Sequence, residues 1–497
     1  MGENHNVKTV NLLSVSTAKN TTEILTELVE SSSNKIVLKL HLGDSTSDFK
    51  ASSLVRMNKK VGRLGHLFNI HQNYSGVDHH LLASETFRRD LETLIDQLFR
   101  HSGAYRYKSH NLQNLQDYLD YYYILADAVA NEIITNKINH ILFFNIPHLA
   151  YDTIIYQIAR SLKIETTIVT QSLFPNKFFS LRHIENYGHI NKTKPLKIDK
   201  RWEIPELDLF YMKKIKQKKE KNGRINLKAF INFTLFLLFK NPNLFFRPLY
   251  SFKILKRIHT IYQRFPKWRD PFANFFHKNE LAYFEHLAEF ESTEIDLNQM
   301  FVYFPLPMQP EMTTSAIGGM YRDQLLALEH LSKILPDKVK IFIKENPKQG
   351  SFSRGPLFFH RLSRIKSVSF VPSFSDTNEL TKRALFIATV TGTVGWEALC
   401  LGKSVLVFGN AWYKDFPGVT QYKENPSFQK IIENVPKKEE IESIFSHLME
   451  SSHEGTVDRA YTGLVPNFNV KENAVNTAKI LANLIFKKAK VTFSNFK

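Results

Sequence analysis

The residues best placed to do chemistry lie in one segment, ATVTGTVGWEALCLGKSVLVFGNAWY, Ala388–Tyr413. An apolar run ends at Val390, Thr391, Gly392 and Thr393 make a turn, and a helix is expected from about Val394. The first amides of a helix have no partner inside it and its dipole is positive at that end, so such a turn suits a phosphate. Gly392 and Gly395 let the backbone come close to an anion, and the two threonines add hydroxyl donors. Glu397, one turn into the helix, can accept from ribose hydroxyls. The same residues also read as an ordinary tight turn with Glu397 on a helix surface.

Three further segments carry polar groups at strand ends. IFIKENPKQG, Ile341–Gly350, ends a strand in Lys344, Glu345, Asn346 and Pro347. Lys344 suits a phosphate and Asn346 a base or phosphate; the plain alternative is a loop of solvated charges. FPLPMQPEMTTSAIGGMYRDQ, Phe304–Gln324, is a proline-held loop. It presents Glu311, Thr313, Thr314 and Ser315 before Gly318–Gly319 and a helix, or else it is a simple connector. In NIPHLAYDTIIYQIA, Asn145–Ala159, His148 and Asp152 are four apart. Placed on one helix they share a face, where the carboxylate can fix the imidazole's tautomer and the pair can deprotonate a sugar hydroxyl. A helix-start histidine with a local aspartate is the other reading. His41, Asp44 and the Gly62–His66 segment are weaker polar candidates near loops.

The elements that must position these groups alternate. Strands are expected at Lys35–Leu42, His140–Ile146 and Thr166–Thr170, with helices at Leu81–Phe99 and Leu112–Ile134. A second series has strands at Met300–Leu306, Val339–Lys344, Ser367–Val371, Leu385–Val390 and Ser404–Phe408. Between them fall helices at Gly319–Ile334, Pro356–Ser363, Asp376–Arg383 and Val394–Leu401. Asp376 with Glu379 resembles a capping box, and Gly402 is placed to end the last of these helices. Strands alternating with helices predict parallel sheets, doubly wound, with ligands at the carboxyl ends of the strands. Two amphipathic helices, about 437–450 and 472–488, close the chain.

The 497 residues suit two or three domains, and 43% hydrophobic residues supply cores for them. A single cysteine, Cys400, excludes an intrachain disulfide framework, and no Cys/His metal spacing is present. The start MGENHNVKTVNLLSV has neither the form of a signal peptide nor a serine or threonine at position 6 for myristoylation. The longest apolar stretch, Ala229–Phe239, is too short for a bilayer span of roughly 20 residues. These readings lead to the expectation of a cytoplasmic protein. The net charge of +18 calls for an anionic partner. Much of it lies in residues 191–297, which hold the run KKIKQKKEK beside Phe230, Phe233, Phe236, Phe239, Phe245, Phe246 and Trp268. That mixture fits a helix lying on an anionic membrane face, or a helical linker with a solvated basic side. No nucleic-acid motif accompanies the charge, and nucleic acid is not expected as a partner.

Four segments, in order over roughly residues 140–415, resemble capsule polysaccharide biosynthesis proteins, a family that includes the Kdo transferases of capsule assembly. They are NIPHLAYDTIIYQIARSL, FPLPMQPEMTTSAIGGMYRDQLLALEHL, IFIKENPKQ and TVTGTVGWEALCLGKSVLVFGNAWY. The resemblance implies an α/β, GT-B-like fold, two Rossmann-like domains whose parallel sheets face a cleft, to which the composition adds a helical basic insertion. Residues 1–190 would form the acceptor domain, 191–297 the basic insertion, 298–435 the nucleotide-sugar domain and 436–497 the C-terminal helices. It implies glycosyl transfer without a metal or other cofactor, in keeping with the absence of an Asp-x-Asp triplet. The implied donor is a nucleotide-sugar, and the implied acceptor a growing capsular polysaccharide or a lipid-linked glycan. The anionic inner face of the cytoplasmic membrane is a further expected partner.

Residue by residue, the resemblance assigns Thr391, Gly392 and Thr393 to the phosphate turn and Glu397 to the ribose, and the reading of the turn itself adds Gly395. It matches Lys344, Glu345 and Pro347 to the family's Lys-Glu-His-Pro pattern at the donor, with Asn346 in the histidine's place, and His148 and Asp152 to its Pro-His-x-x-x-Asp segment, expected to be catalytic; the proline-held loop adds Glu311 as a donor-binding candidate. Asn346 stands where the family carries a histidine; asparagine donates a hydrogen bond but cannot carry a proton. Two alternatives stay open: a sugar-nucleotide epimerase or hydrolase of the same fold, and a non-catalytic capsule-assembly protein.

Overall fold

The computed structural model describes residues 9–16, 21–43, 115–149, 151–190, 202–207, 245–252, 283, 286, 294–309, 311–346, 349, 354–373, 375–423 and 425–495. The expected helix Leu81–Phe99, the Gly62–His66 segment, Asp44, Pro347 and most of the basic stretch 191–297 lie outside these residues. The chain divides into two compact units, one of residues 1–208 with 442–497, the other of residues 209–441.

The first unit is built on β1 (Val10–Ser16), β2 (Ile36–Gly43), β3 (His140–Phe143), β4 (Glu165–Gln171) and β5 (Lys177–Leu181), with a short β12 (His453–Glu454) at its edge. The sheet order is β12-β5-β4-β3-β1-β2. β1 to β4 run parallel, whereas β5 is antiparallel to β4, and β12 to β5. Helices α1 (Thr21–Ser31), α2 (Leu115–Thr135) and α3 (Tyr151–Ser161) supply the crossovers. The last helix, here α10 (Val470–Ile485), returns from the far end of the chain. It buries Ala474, Thr477, Ala478, Leu481, Leu484 and Ile485, spacings of three and four that make one apolar face. That face shares a core with Leu12, Ile24, Leu25, Leu28, Leu142 and Val169. Asn469 caps the helix by accepting from the amides of Lys471 and Glu472.

The second unit holds β6 (Phe301–Pro305), β7 (Lys340–Lys344), β8 (Val368–Val371), β9 (Ile387–Thr389), β10 (Val405–Val407) and β11 (Val419–Gln421). The order is β11-β10-β9-β6-β7-β8, all parallel. Counted along the unit's own strands this is 3-2-1-4-5-6, the doubly wound nucleotide-binding order. Phe301–Phe304, Ile341–Ile343, Ile387–Thr389 and Val405–Val407 are buried throughout, as strands covered on both faces require. The intervening helices are α4 (Gln324–Ile334), α5 (Pro356–Ser363), α6 (Thr377–Arg383) and α7 (Thr393–Cys400), followed by α8 (Phe428–Glu433) and α9 (Lys438–Ser451). The single helix expected from Gly319 divides in two. A 3-10 turn, Gly319–Arg322, ends at Asp323, whose carboxylate accepts from Leu325 N and Leu326 N and starts α4 afresh. Asp376 caps α6 in the same way, and Gly402, at φ +73°, follows α7 in the left-handed conformation that glycine favours. The two-sheet α/β architecture expected from the sequence is therefore present.

Candidate functional site

In a doubly wound sheet the strand order reverses between the first and fourth strands, and the crevice above their carboxyl ends is where ligands settle. In the second unit these strands are β6 and β9. Their following loops are Leu306–Gly318 and Val390–Gly392, the two stretches that the sequence marks as polar and glycine-rich.

The loops are laced together. Thr391 Oγ1 donates to the Thr313 carbonyl at 2.5 Å, and Asn410 N to the Ile317 carbonyl at 2.8 Å. Gly409 lies so close to its neighbours that a Cβ there would sit 2.7 Å from Thr391 Cγ2 and 2.8 Å from Ile317 O. Residues Met312–Ala316 form a single π turn, with Ile317 N donating to Met312 O at 3.2 Å. Glu311 heads this turn in a capping box: its side chain accepts from Thr314 N, and Thr314 Oγ1 accepts from Glu311 N. Glu311, expected at the donor, thus has a structural task at the loop's start.

Helix α7 begins at the switch point. Gly392 N donates to Thr389 Oγ1 at 3.1 Å, which closes the turn. Thr393 and Val394 carry the first amides of α7, which have no acceptor within the helix. Gly395 serves a different need from close approach to an anion: a Cβ there would lie 2.2 Å from Tyr413 Oη. Tyr413 is buried, and its hydroxyl donates to the Gly392 carbonyl, so it braces the turn from below. Burial, and then the charge of Glu397, raise the Tyr413 phenol well above its ordinary range. Glu397 is half-buried and acts in the same direction on Tyr303 and Cys400.

The strand-end residues after β7 are committed otherwise than expected. Lys344 directs its ammonium to Ser375 O at 2.9 Å and Thr377 Oγ1 at 2.6 Å, in the loop after β8 and at the start of α6. Glu345 is buried and pairs with buried Arg354, Nε to Oε2 at 3.0 Å, while its other oxygen accepts from Asn346 N at 2.9 Å. Half-buried Asn346 is thereby held at the strand end.

This ion pair belongs to a buried polar network that sequence reading missed. Arg354 Nη2 reaches Gln324 Oε1 at 3.3 Å, and Gln324 Nε2 donates to Pro307 O at 2.9 Å. Gln309 and Gln349 exchange two bonds, Gln309 N to Gln349 Oε1 at 2.8 Å and Gln349 Nε2 to Gln309 O at 3.0 Å. Tyr283 donates to Gln349 O at 3.0 Å. The network joins the loops after β6 and β7. Its only sequence signal is an isolated arginine in an apolar stretch, FSRGPLFF, which no periodicity explains. Lys414 is also new: it is buried, donates to Asn410 Oδ1 at 2.9 Å, and burial pulls its ammonium down to about 8.

In the first unit the order reverses between β1 and β3, and His148 and Asp152 follow β3. They do not share a helix face. α3 starts at Tyr151, so His148 precedes it, and Asp152 lies in its first turn. His148 Nδ1 sits 2.6 Å from the Ile146 carbonyl, which can only accept. The ring's Nδ1 therefore carries the proton, and in the neutral ring Nε2 holds the lone pair. Asp152 Oδ1 accepts from Leu149 N at 2.7 Å, which fixes the chain that carries His148. Burial raises the Asp152 carboxyl, against the opposing pull of the His148 charge and nearby amides. His41 is buried against Ser14, Nδ1 to Oγ at 3.3 Å, and belongs to the sheet's interior. Among the described residues no group of three or more His, Cys, Asp or Glu is placed to hold a metal ion. None of the described helices is long and apolar enough to cross a membrane.

Residues 281–453 match the family described as capsule polysaccharide biosynthesis protein. This is the family that the sequence segments resemble, and the match takes in the whole switch-point region of the second unit. No curated protein matches the chain. Among solved structures, a beta Kdo 2,7 transferase, KpsC of Thermosulfurimonas dismutans, is 12% identical with a TM-score of 0.30, over 80% of this chain and 97% of that one. A UDP-GlcNAc 2-epimerase from Neisseria meningitidis, bound to UDP-GlcNAc, is 12% identical with a TM-score of 0.24, over 96% and 100%. The trehalose-6-phosphate synthase OtsA is 10% identical with a TM-score of 0.27, over 97% and 100%.

Proposed function

From the match of residues 281–453 to the capsule polysaccharide biosynthesis family, we propose that this protein is a glycosyltransferase. It moves a sugar from a nucleotide-sugar donor to a growing capsular polysaccharide or a lipid-linked glycan. The observation that carries this reading is the start of α7 at the switch point of a 3-2-1-4-5-6 sheet. There the amides of Thr393 and Val394 and the helix dipole meet the donor's phosphates, with Thr391 and Gly392 shaping the turn. The same positive end stabilises the phosphate as the glycosidic bond to it breaks. Glu397 takes the ribose hydroxyls, and Asn346 donates to the base or phosphate. Lys344, Glu345 and Glu311 act at one remove, by holding the loops that frame the donor. In the first unit, the lone pair of His148 Nε2 accepts the proton of the acceptor hydroxyl, and Asp152 positions the ring. The basic stretch 191–297 keeps the protein at an anionic membrane face, where a lipid-linked acceptor resides. The chemistry requires no metal, so turnover should survive EDTA.

A nucleotide panel of CMP, UDP, GDP, dTDP and their sugars, read by thermal shift, tests the donor site. A ligand at about a hundred times its Kd stabilises the native state by about 2.7 kcal/mol. A selective shift, abolished in Glu397→Gln, is the expected outcome; absence of a shift with every nucleotide would overturn the assignment. Product analysis with and without a glycan acceptor then separates transfer from epimerisation or hydrolysis.

A further inference from the structure

Residues 245–252 present a dense set of large apolar side chains to solvent. Phe246 is 85% exposed, Leu249 87% and Phe252 69%, with Phe245 and Tyr250 exposed beside them. Residues 248–252 are helical, started by Pro248, and Ser251 N donates to Arg247 O at 3.0 Å. Phe246, Leu249 and Phe252 are spaced by threes along this turn. Single exposed apolar residues are ordinary on a protein surface, but Phe245, Phe246, Leu249 and Phe252 together within eight positions mark an interaction site.

The charge around the patch identifies that partner. From Lys221 to Arg269 the sequence has no aspartate or glutamate and carries eleven lysines and arginines, among them Lys240, Arg247, Lys253, Lys256 and Arg257. An apolar cluster inside a purely basic stretch matches a bilayer whose headgroups are anionic and whose interior is apolar. A protein partner would need an apolar face ringed by acid, and a nucleic acid would leave Leu249 without a use for its aliphatic area.

We infer that residues 245–252 are a membrane-docking element: Phe246, Leu249 and Phe252 enter the boundary between headgroups and acyl chains of an anionic bilayer, and Arg247 holds the headgroups. This rests on the membrane clause of the proposed function and deepens it by naming the inserting residues. No chemistry at the donor site is involved.

The test uses the full chain and co-sedimentation with vesicles of phosphatidylcholine alone or mixed with phosphatidylglycerol. The wild-type protein should bind the mixed vesicles, and added salt should weaken the binding without removing it, because the apolar contribution is not screened. The combined variant Phe246→Ser, Leu249→Ser, Phe252→Ser should keep its melting temperature and nucleotide shift, since the side chains are exposed. It should lose affinity for mixed vesicles by about a hundredfold, as expected for three side chains each partly withdrawn from water. Equal binding by variant and wild type would overturn the inference while leaving basic membrane attachment intact. No binding of wild type to either vesicle would overturn both, with the nucleotide result standing apart. If the wild type alone self-associates in the absence of vesicles, the patch joins copies of the chain and the inference fails.

Discussion

At Gly395 a single missing side chain determines the shape of the turn. The space its Cβ would occupy is filled by Tyr413, with Oη at 2.2 Å and Cζ at 2.8 Å. The Tyr413 hydroxyl also holds the Gly392 carbonyl. Gly395→Ala should therefore destabilise the second unit by about 1–3 kcal/mol, the usual cost of overpacking a core. Tyr413→Phe relieves only the contact with oxygen, so the double variant should be less destabilised than the sum of the two singles. Chemical denaturation of the three variants measures this, and strict additivity would show that the two residues do not meet. The glycine itself was legible in the sequence; its reason was not. A glycine one turn into a helix at a strand end looks like room for a ligand, whereas the room is taken by a ring from the loop after β10. Lys344 teaches the same lesson, since a strand-end lysine looks free for phosphate until Ser375 and Thr377 are seen to occupy it.

The elements of the second unit were easier to read than its residues. β6, β7, β9 and β10 are apolar runs because both faces of the sheet are covered, and helices of ordinary period separate them. β1 was harder to read. Ser14 and Ser16 interrupt its run, and they are tolerated in the interior because Ser14 meets His41 and Ser16 donates to Thr21 Oγ1 at 2.9 Å. β11, three residues long, has too little sequence to carry a pattern. The connection that matters most between elements, the Arg354–Glu345 pair, has no local signature at all. It yields a sharp expectation. Arg354→Met leaves Glu345 as a buried, uncompensated carboxylate and should cost about 3–5 kcal/mol. Glu345→Gln in that background removes the charge and should recover part of the loss. If the double variant is no more stable than Arg354→Met, the cost lies in Arg354's contacts with Gln324, Pro307 and the Phe358 ring rather than in the buried charge.

Over the whole molecule, the first unit is completed by the chain's last residues: α10 and β12 close a core and a sheet begun at β1. A contact across that much sequence leaves no local mark, which is why the helix at 472–488 could be expected but not its docking site. Among its described residues the same unit holds two buried histidines, His41 and His140, and a half-buried one, His453. His41, His140 and His453 are each drawn down to about 4, mainly by burial, with Arg182 and Lys487 adding to the effect at His140 and Lys177 at His453. In the unfolded chain each titrates near 6.5. Between those values the unfolded state binds more protons, so stability is full above about pH 6.5 and falls as pH drops toward 4. Each unit of difference is worth about 1.4 kcal/mol, so three such groups can remove several kcal/mol. Buried Asp152 works in the opposite sense, because its raised carboxyl is relieved on protonation, but it is one group against three. The melting temperature should therefore decline steeply between about pH 6.5 and 4. Replacing His453 with glutamine, whose side-chain amide can still bond Ser180 Oγ, should flatten that decline by about one histidine's share. An unchanged slope in that variant would mean that His453 is not held in its neutral form, and the acid sensitivity would have to come from His41 and His140 alone.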